Sequence, residues 1–332
     1  MPARPFLWRA LSPAMFAIVP RMQNFMRAPS FKPFKRWWYR CFADPYTNLR
    51  NEPLEVTAVF GARFRARLSG VVQRSLFHFG VFEPNLTAFL SERLRPGDTF
   101  VDVGANVGYF TLLASKLVGD SGRVVAIEAS PATFAALNEN IVRNEACNVR
   151  TANVAAYDCE TTLPIYHLPD EEFTSGASVV RAIGPQEAAI PARPLPSIMT
   201  ETERASARVI KIDVEGAEER VVEGLLGATH SLREDVEIVV EVLPESYRSV
   251  IAKLGECGFV ASVLKNPLDP LADAAGSTEL EAIAPSASPE RFTMAHGVLY
   301  LVFARARVNG KMVETTGIEP ATSCLQSRRS TN

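Results

Sequence analysis

The sequence predicts an α/β protein with a doubly wound, mostly parallel sheet, and two observations support this fold class. Between residues 99 and 154, apolar runs typical of buried strands alternate with segments of helical apolar spacing, and this alternation implies a parallel sheet with helices on both faces. In the stretch from Thr99 to Ser115, a short apolar run, two glycines and an apolar helical pattern follow one another. This order indicates a strand, a tight turn and a helix.

Apolar spacing and turn residues define the remaining elements of the first half of the chain. Leu54 to Leu68 alternates apolar and polar residues around Gly61, which indicates a strand pair or hairpin. Leu86 to Leu94 has helical spacing, and the residues 96–98 (Pro-Gly-Asp) turn the chain into the first strand of the sheet. The pattern then predicts, in alternation, a strand at 99–103, a helix at 106–118, a strand at 123–128, a helix at 131–144 and a strand at 148–154.

The second half of the chain begins with an irregular segment, residues 158–202. Residues 163–167 are compatible with a short strand, and four prolines between 185 and 196 indicate an irregular connection. An insertion this long in an α/β protein is more often functional than idle. The sheet then resumes, with predicted strands at 209–213, 236–242, 259–263 and 298–303, helices at 217–226 and 245–257, and an exposed loop at 266–290.

Composition excludes several classes of protein. The chain has 332 residues, a net charge of -2 and an apolar content of 47%, which fits a globular protein with a sizeable core and not a polyanion binder. Its five cysteines are scattered and form no Cys-x-x-Cys pair. This pattern disfavours a structural zinc site or a disulfide framework and fits a reducing, cytoplasmic setting.

Residues 1–45 differ from the rest of the chain. They contain eight basic residues, all three tryptophans and no acidic residue before Asp44. Basic residues beside aromatic ones are typical of an arm that contacts a membrane surface, but a poorly ordered extension that packs a few aromatics on the domain explains them equally well. The apolar run at 14–19 is too short to span a bilayer. We therefore divide the chain into an arm at 1–45, one α/β domain at 46–305 and a disordered tail at 306–332.

The turn after the first sheet strand carries the strongest chemical signal. Asp102 interrupts the apolar strand, and Gly104, Asn106 and Gly108 follow it. Glycines allow the backbone to approach a ligand, and the helix that starts there offers unpaired N–H groups. Asn106 stands where the dinucleotide fingerprint G-x-G-x-x-G requires its second glycine, so the turn does not match that motif.

Acidic residues follow the strands at the edge where doubly wound sheets bind ligands. Glu128 ends the second strand and can accept both ribose hydroxyls of an adenosine, although a solvated cap of the next helix is the alternative. Asp213 ends the fourth strand, Glu215 follows it, and Glu241 lies near the end of the fifth. These carboxyl groups suit general-base or substrate-orienting roles.

Taken together, these motifs resemble the FkbM family of S-adenosylmethionine (SAM)-dependent methyltransferases. The resemblance spans roughly residues 81–242 and rests on the run 101–110 (Val-Asp-Val-Gly-Ala-Asn-Val-Gly-Tyr-Phe) and the run 210–225, which contains Ile-Asp-Val-Glu-Gly-Ala-Glu. It implies the seven-stranded, Rossmann-like sheet of class I methyltransferases, with two antiparallel strands at its end. It also implies O-methylation of a hydroxyl on a sugar, glycan or polyketide-type metabolite, with SAM as the methyl donor.

The resemblance also assigns site residues. It places Glu83, Asp102, Gly104, Asn106 and Gly108 around the methionine half of SAM, Glu128 at the ribose, and Asn153 and Ala155 beside the adenine. Asp213 and Glu215 then face the acceptor as the candidate catalytic residues. No nucleic-acid partner and no metal are expected.

Several alternatives stay open at this point. Lys211 and Asp213 share a strand face and could pair, so Asp213 either removes the acceptor proton or only orients the hydroxyl. A divalent metal held by Asp213, Glu215 and Glu241, a base role for His167, and a hydroxyl-rich acceptor turn around Gly176 are weaker readings. A non-catalytic SAM-binding or membrane-associated scaffold is the rival function. The acceptor and the oligomeric state are not predicted.

Overall fold

The computed structural model of the chain contains a central eight-stranded sheet with helices on both faces and a second, four-stranded sheet beside it. The structure describes residues 37, 53–66, 70–167, 177–180, 185–243, 245–267, 277–283, 297–308 and 311–312. The predicted fold class, an α/β protein with a doubly wound, mostly parallel sheet, is confirmed.

The first half of the described chain contains a hairpin, two helices and the alternating strands and helices that the sequence predicts. Its elements are, in order, β1 (Leu54–Thr57), β2 (Arg63–Ala66), α1 (Val71–Phe79), α2 (Pro84–Arg93), β3 (Thr99–Val103), α3 (Tyr109–Val118), β4 (Arg123–Ile127), α4 (Pro131–Arg143) and β5 (Val149–Ala152). The helix predicted from residue 106 begins at Tyr109, because the glycine turn extends to Gly108 with a φ of 92°.

The second half contains the small sheet and the rest of the central sheet. Its elements are β6 (Ala155–Tyr157), β7 (Thr161–His167), β8 (Ala177–Ser178), β9 (Gln186–Pro194), α5 (Leu195–Ile198), α6 (Glu201–Ser206), β10 (Ala207–Ile212), α7 (Glu218–Leu226), a 3-10 turn (Thr229–Ser231), β11 (Glu237–Glu241), α8 (Tyr247–Glu256), β12 (Phe259–Pro267), β13 (Glu281–Ala282), β14 (Gly297–Arg305), β15 (Arg307–Val308) and β16 (Lys311–Met312).

The central sheet has the strand order β13-β12-β14-β11-β10-β3-β4-β5. Strands β5, β4, β3, β10 and β11 are parallel, and β14 inserts antiparallel between β11 and β12. From β3 the chain proceeds to β4 and β5 on one side, and later to β10 and β11 on the other. A crevice forms at such a switch point, outside the carboxyl ends of the strands.

Alternate residues of the central strands enter two separate cores, one on each face of the sheet. Phe100 and Val209 join the core that α1, α2 and α3 cover, whereas Val101 and Ile210 join the core that α7 and α8 cover. Lys211 of β10 is paired in register with Asp102 of β3. Lys211 follows Val209 by two residues, and Asp102 follows Phe100 by two residues. Both side chains therefore lie on the face of the sheet that α3 covers.

The small sheet differs from the sequence prediction. Residues 158–202 were expected to be irregular with one short strand, but β6, β7, β8 and β9 form a sheet of order β6-β9-β7-β8. Its own apolar cluster contains Ala155, Ile190 and Ala192. α7 approaches it closely, since a Cβ on Gly224 would lie 2.1 Å from the backbone oxygen of Tyr157. The prolines of β9 indicated a loop, and only its long-range pairing with β7 and β6 reveals the strand.

Three further predictions have mixed outcomes. The antiparallel pair at the end of the sheet is present as β12 and β14, but the two-residue β13, inside the segment predicted as an exposed loop, adds an eighth strand. The short β15–β16 pair lies in the segment predicted as a disordered tail. Apart from residue 37, the arm at 1–45 lies outside the described residues, as does the tail beyond residue 312, so those predictions stay untested.

Cysteines and membrane spans complete the description. Cys147 and Cys257 are free thiols, whereas Cys159 is disulfide-bonded. The reducing setting predicted from the scattered cysteines therefore does not hold at Cys159. Within the described residues, the helices are all too short or too polar to cross a bilayer.

Candidate active site

A cleft of about 1210 Å³, part of it open to solvent, lies at the carboxyl ends of β3, β4, β10 and β11. Five carboxyl groups line it, and Lys211 is the single basic side chain among its described lining residues. The five acidic residues are Glu83, Glu128, Asp213, Glu215 and Glu241. A cleft with this charge favours ligands that carry positive charge.

The glycine turn after β3 forms the floor of the cleft. Gly104 has a φ of 79°, and a Cβ at this position would lie 1.7 Å from the backbone oxygen of Asp213. A side chain is therefore excluded both by conformation and by space. The backbone N–H groups of Gly104 and Ala105 both donate to the Ile127 oxygen, at 2.9 and 3.0 Å, and these bonds tie the turn to the end of β4.

Asn106 takes a left-handed conformation in the same turn, with a φ of 50°. Its side-chain Oδ1 accepts a hydrogen bond from the Val107 N–H at 2.7 Å, which is the local bond that lets asparagine tolerate this conformation. As a result, its own backbone N–H points across the cleft and donates to Oε2 of Glu128 at 2.8 Å.

Glu128 is held by two backbone groups at the end of β4. Its Oε2 accepts from the Asn106 N–H, and its Oε1 accepts from the Ser130 N–H at 2.9 Å. Burial raises the pKa of this carboxyl to about 7, although the two backbone hydrogen bonds oppose the shift. A carboxylate oxygen can accept more than one hydrogen bond, so Glu128 retains acceptor capacity toward a pair of hydroxyls.

A buried ion-pair cluster lies beneath the turn. The Nζ of Lys211 is 3.0 Å from Oδ2 of Asp213 and 3.5 Å from Oδ1 of Asp102, whose other oxygen accepts from the Thr111 hydroxyl at 2.7 Å. Burial alone would lower the pKa of Lys211, but the charges of Asp213 and Asp102 outweigh it and hold that pKa above its ordinary value. Burial also raises the pKa of Asp102.

Asp213 and Glu241 form a coupled pair at the ends of β10 and β11. Burial would raise the pKa of Asp213, but Lys211 and a hydrogen bond with Glu241 hold it below its ordinary value. The pKa of Glu241 is raised well above its ordinary value by burial and by the charge of Asp213. Of the two, Glu241 is therefore the member that binds a proton more readily, and Asp213, with 22% of its side chain exposed, is the ionised member.

Glu83 completes the acidic wall from the start of α2. It has a φ of 43°, and its Oε2 accepts a hydrogen bond from the Tyr300 hydroxyl at 2.9 Å. The same hydroxyl lies 3.4 Å from Oδ2 of Asp213. Burial and the charge of Asp213 raise the pKa of Glu83 to about 8, because Lys211 and Tyr300 offset them only in part.

The loop after Asp213 is shaped by a second buried glutamate. Glu218 accepts hydrogen bonds from the Val214 and Gly216 N–H groups at 3.2 and 2.9 Å, and so it closes the loop over the start of α7. Glu215 has a φ of 56°, and its backbone oxygen accepts from the Ser178 hydroxyl at 2.9 Å. Glu218 thus supplies the carboxylate that closes this loop, and Asp213 faces the cleft.

The structure brings together seven of the ten predicted site residues. They line the cleft and are Glu83, Gly104, Asn106, Glu128, Ala155, Asp213 and Glu215. The other three lie behind its wall. Asp102 is fully buried next to Lys211, a Cβ on Gly108 would lie 2.7 Å from Cδ1 of Leu137, and the Asn153 amide donates to the backbone oxygens of Glu128 and Ala129.

Other candidates from the sequence are not placed at the site. Among the described residues, no group of three or more His, Cys, Asp and Glu side chains is arranged to hold a metal ion. The side chain of His167 lies outside the described residues, as do Thr174, Ser175 and Gly176 of the predicted acceptor turn.

Comparison with known proteins links this cleft to a family of methyltransferases. Residues 102–261 match the family model described as the methyltransferase FkbM domain. This part of the chain is an FkbM methyltransferase domain. It is a SAM-dependent methyltransferase, and the predictions of family, enzyme class and cofactor are confirmed.

Two curated methyltransferases are similar to the chain over different lengths. The 31-O-demethyl-FK506 methyltransferase FkbM of Streptomyces tacrolimicus is 29% identical in an alignment of 203 positions, which covers 53% of this chain and 77% of that protein. An arsenite methyltransferase of Halobacterium salinarum (strain ATCC 700922 / JCM 11081 / NRC-1) is 34% identical over 56 residues, 17% of this chain and 14% of that protein.

Solved structures of methyltransferases are more distant. The FkbM methyltransferase of Methylobacillus flagellatus KT has a TM-score of 0.39 at 14% identity, covering 88% of this chain and 60% of that one. TYW2 of P. horikoshii, solved with MeSAdo, has a TM-score of 0.41 at 14% identity, covering 89% and 100%. At these identities and TM-scores, the similarity to the solved structures carries no argument about function.

Tyr300, whose hydroxyl contacts Glu83 and Asp213 from behind the cleft lining, is a residue that the sequence does not single out. It lies in the apolar strand β14, and its register partner across the antiparallel pair is Glu241. The available signal is a tyrosine within an apolar strand, where its hydroxyl requires a polar partner inside the protein. Which partner it finds depends on long-range pairing that one sequence does not reveal.

Proposed function

We propose that the protein transfers the methyl group of SAM to a hydroxyl oxygen of a small-molecule acceptor, of the sugar, glycan or polyketide type. The observation that carries this proposal is the ionised, partly exposed carboxylate of Asp213, fixed by Lys211 at 3.0 Å beside the glycine turn. A hydroxyl acceptor needs such a group within hydrogen-bond reach, because it must lose its proton during the transfer.

The cofactor half of the cleft comprises the glycine turn and Glu128. When bound, SAM supplies an electrophilic methyl group on a sulfonium. Glu128 suits its ribose hydroxyls, Gly104 and Asn106 leave the turn open to the methionine part, and Glu83 offers a carboxyl group to its ammonium. Ala155 lines the cleft next to Val154 and suits the adenine, whereas Asp102, Gly108 and Asn153 support these groups from behind.

The acceptor half comprises Asp213, Glu215 and Glu241. Because Lys211 lowers the pKa of Asp213, this carboxylate is too weak a base to deprotonate a free hydroxyl to a significant extent. It accepts a hydrogen bond from the hydroxyl and orients the oxygen toward the methyl group, and positioning of this kind supplies much of the rate acceleration. The hydroxyl proton becomes strongly acidic as the new C–O bond forms, and Asp213 takes it at that stage.

The name of one relative supports an oxygen acceptor. The Streptomyces protein is described as a 31-O-demethyl-FK506 methyltransferase, which places the transferred methyl on an oxygen of a natural product. The acidic lining of the present cleft fits a neutral polyhydroxylated acceptor better than one that carries phosphate or carboxylate groups near the reacting oxygen. Glu215 is the group closest in sequence to Asp213 for contacting a second hydroxyl of such an acceptor.

The acceptor class is identified by comparing metabolites, glycans and lipids from cells with and without the gene by mass spectrometry. We expect a compound that loses the mass of one methyl group when the gene is absent, and that compound without its methyl is the acceptor. If purified protein binds SAM but methylates no hydroxyl-bearing extract fraction, the rival function as a non-catalytic SAM-binding protein is supported.

The Asp213→Asn variant tests the proposed mechanism. Asparagine keeps the size of the side chain but cannot take the proton, so we expect kcat to fall by about 100-fold or more. SAM affinity should stay within about threefold of the wild type, because Asp213 acts on the acceptor. The matched control is Asp120→Asn in an exposed turn, which should change neither quantity. Unchanged turnover in Asp213→Asn would remove this residue from the mechanism.

We also propose peripheral membrane contact through the basic, aromatic arm at 1–45. Its support is the excess of basic residues and tryptophans in that segment. Cosedimentation with anionic vesicles at low salt, with and without residues 1–42, measures this contact, and equal sedimentation of both proteins would contradict it.

A further inference from the structure

The small sheet forms hydrogen bonds with both walls of the cleft. At β9, the carboxylate of Glu187 contacts the residues that follow Glu128, on the cofactor wall. At β8, the Ser178 hydroxyl donates to the backbone oxygen of Glu215 on the acidic wall. Val179, next to Ser178, itself lines the cleft. The small sheet thus contacts the loops that end β4 and β10.

The contacts of Glu187 are specific and long-range in sequence. Its two carboxylate oxygens each lie 2.9 Å from the Ser130 hydroxyl, and Oε1 also accepts from the Ala132 N–H at 3.0 Å. Ser130 is fully buried and is the N-cap residue of α4, where its hydroxyl accepts from the Thr133 N–H at 3.2 Å. Glu187 therefore supplies an additional capping carboxylate to the first turn of α4.

Ser130 connects this cap to the cofactor wall. Its backbone N–H donates to Oε1 of Glu128 at 2.9 Å, and its side chain is fixed by Glu187. Hydrogen bonds to an ionised carboxylate are stronger than those between neutral groups. Without Glu187, the buried Ser130 hydroxyl would lose its acceptor, and the peptide that orients Glu128 would lose one of its restraints.

We propose that Glu187 is a positioning residue for the cofactor, through which the small sheet holds Ser130 and thereby the carboxylate of Glu128 in the orientation that receives the ribose. The small sheet is then part of the cofactor site and not only an insertion beside it. This inference rests on the proposed contact between Glu128 and the ribose of SAM. The inference assigns a role in cofactor binding to Glu187, which lies 59 positions after Glu128 in the chain.

The test is a double-variant cycle measured by calorimetric titration with SAM. We expect Glu187→Ala to weaken SAM binding about tenfold, the effect of losing charge-assisted hydrogen bonds. Glu187→Gln, which retains an acceptor oxygen, should recover most of that loss. In a Glu128→Gln background, the further loss from Glu187→Ala should shrink to about twofold or less, because the carboxylate that it positions is absent.

Controls separate binding from folding. Glu160→Ala removes an exposed glutamate in the turn before β7 of the same small sheet and should leave SAM affinity unchanged. Thermal unfolding of each variant without SAM reports loss of structure, and an affinity loss that appears only with a collapsed unfolding transition counts against the proposal. So does wild-type affinity in Glu187→Ala, or equal losses in both backgrounds. If Glu128→Gln alone binds SAM normally, the ribose assignment itself is wrong, which the single variant shows directly.

Discussion

At the scale of single residues, one buried lysine determines the ionisation of the cleft. Lys211 neutralises Asp213 at 3.0 Å and Asp102 at 3.5 Å, but Glu83 and Glu241 have no cation of their own among the described residues. Their pKa values are raised by burial and by Asp213. Burial and the charge of Asp213 thus favour the protonated form of both carboxyl groups, and a cationic ligand favours the release of these protons.

Glu83 provides a pH-dependent test of this view. Its pKa is about 8 in the folded protein against an ordinary value of 4.5, so the folded state binds a proton in this window that the unfolded state does not. The stability contributed by this extra proton is fully present below pH 4.5 and is lost as the pH rises through 8. In Glu83→Gln this loss is absent, so we expect the variant to gain stability relative to the wild type as pH rises.

The measurement is urea unfolding of both proteins at a pH of about 5.5 and about 8.5, where we expect the stability difference to change by on the order of 2 kcal/mol. Glu256→Gln, at the exposed end of α8, serves as the control and should show no such change. Parallel pH dependences of wild type and Glu83→Gln would show that Glu83 is ionised in the free protein, contrary to this account.

At the scale of elements, α4 joins the N-terminal hairpin to the glycine turn after β3. The buried Asn140 donates from Nδ2 to the Val107 oxygen at 2.9 Å, and its Oδ1 accepts from the Arg65 N–H at 3.0 Å. One turn later, Asn144 pairs with both backbone groups of Arg63. The hairpin β1–β2 is thereby part of the structure that holds the turn.

Asn140→Ala tests this connection. The change leaves the Val107 carbonyl and the Arg65 N–H without their partner, and we expect it to lower the free energy of unfolding by roughly 2–4 kcal/mol. The control is Glu139→Ala, the preceding residue, whose ion pairs with Arg65 and Arg143 are exposed and should contribute less than about 1 kcal/mol. Equal effects of the two changes in urea unfolding would contradict the role given to Asn140.

Elements that are specified by residues close together in the sequence were predictable. Elements that are specified by pairing with distant strands were not. The strand at Thr99–Val103 and the helix at Glu218–Leu226 were found because apolar spacing specifies them within a few residues. β9 was missed because its prolines suggest a loop, and its partners β6 and β7 lie elsewhere in the chain.

The same distinction holds for the site. Gly104, Glu128 and Asp213 follow strands directly, and their order in the sequence places them at one edge of the sheet. Tyr300 reaches the site through pairing across the central sheet, and Glu187 through a contact between the small sheet and the start of α4. A single sequence contains no local pattern that reports either contact.

At the scale of the whole molecule, topology places the cleft and charge determines what it accepts. The chain leaves β3 toward β4 on one side and returns to β10 on the other, so the crevice opens between the glycine turn and the acidic loop. SAM carries an ammonium and a sulfonium against one carboxylate, which suits a cleft with five acidic side chains and one lysine in its described lining. The central claim is that the glycine turn and Glu128 together hold SAM in this crevice.

The most direct test of that claim is calorimetric titration of SAM into the wild type and Glu128→Ala, with NAD as a comparison ligand. The account predicts one SAM site per wild-type chain, no NAD binding, and SAM affinity at least about tenfold weaker in Glu128→Ala, because the ribose hydroxyls lose their acceptor. Equal SAM affinity in the two proteins, or binding of NAD in place of SAM, would contradict it.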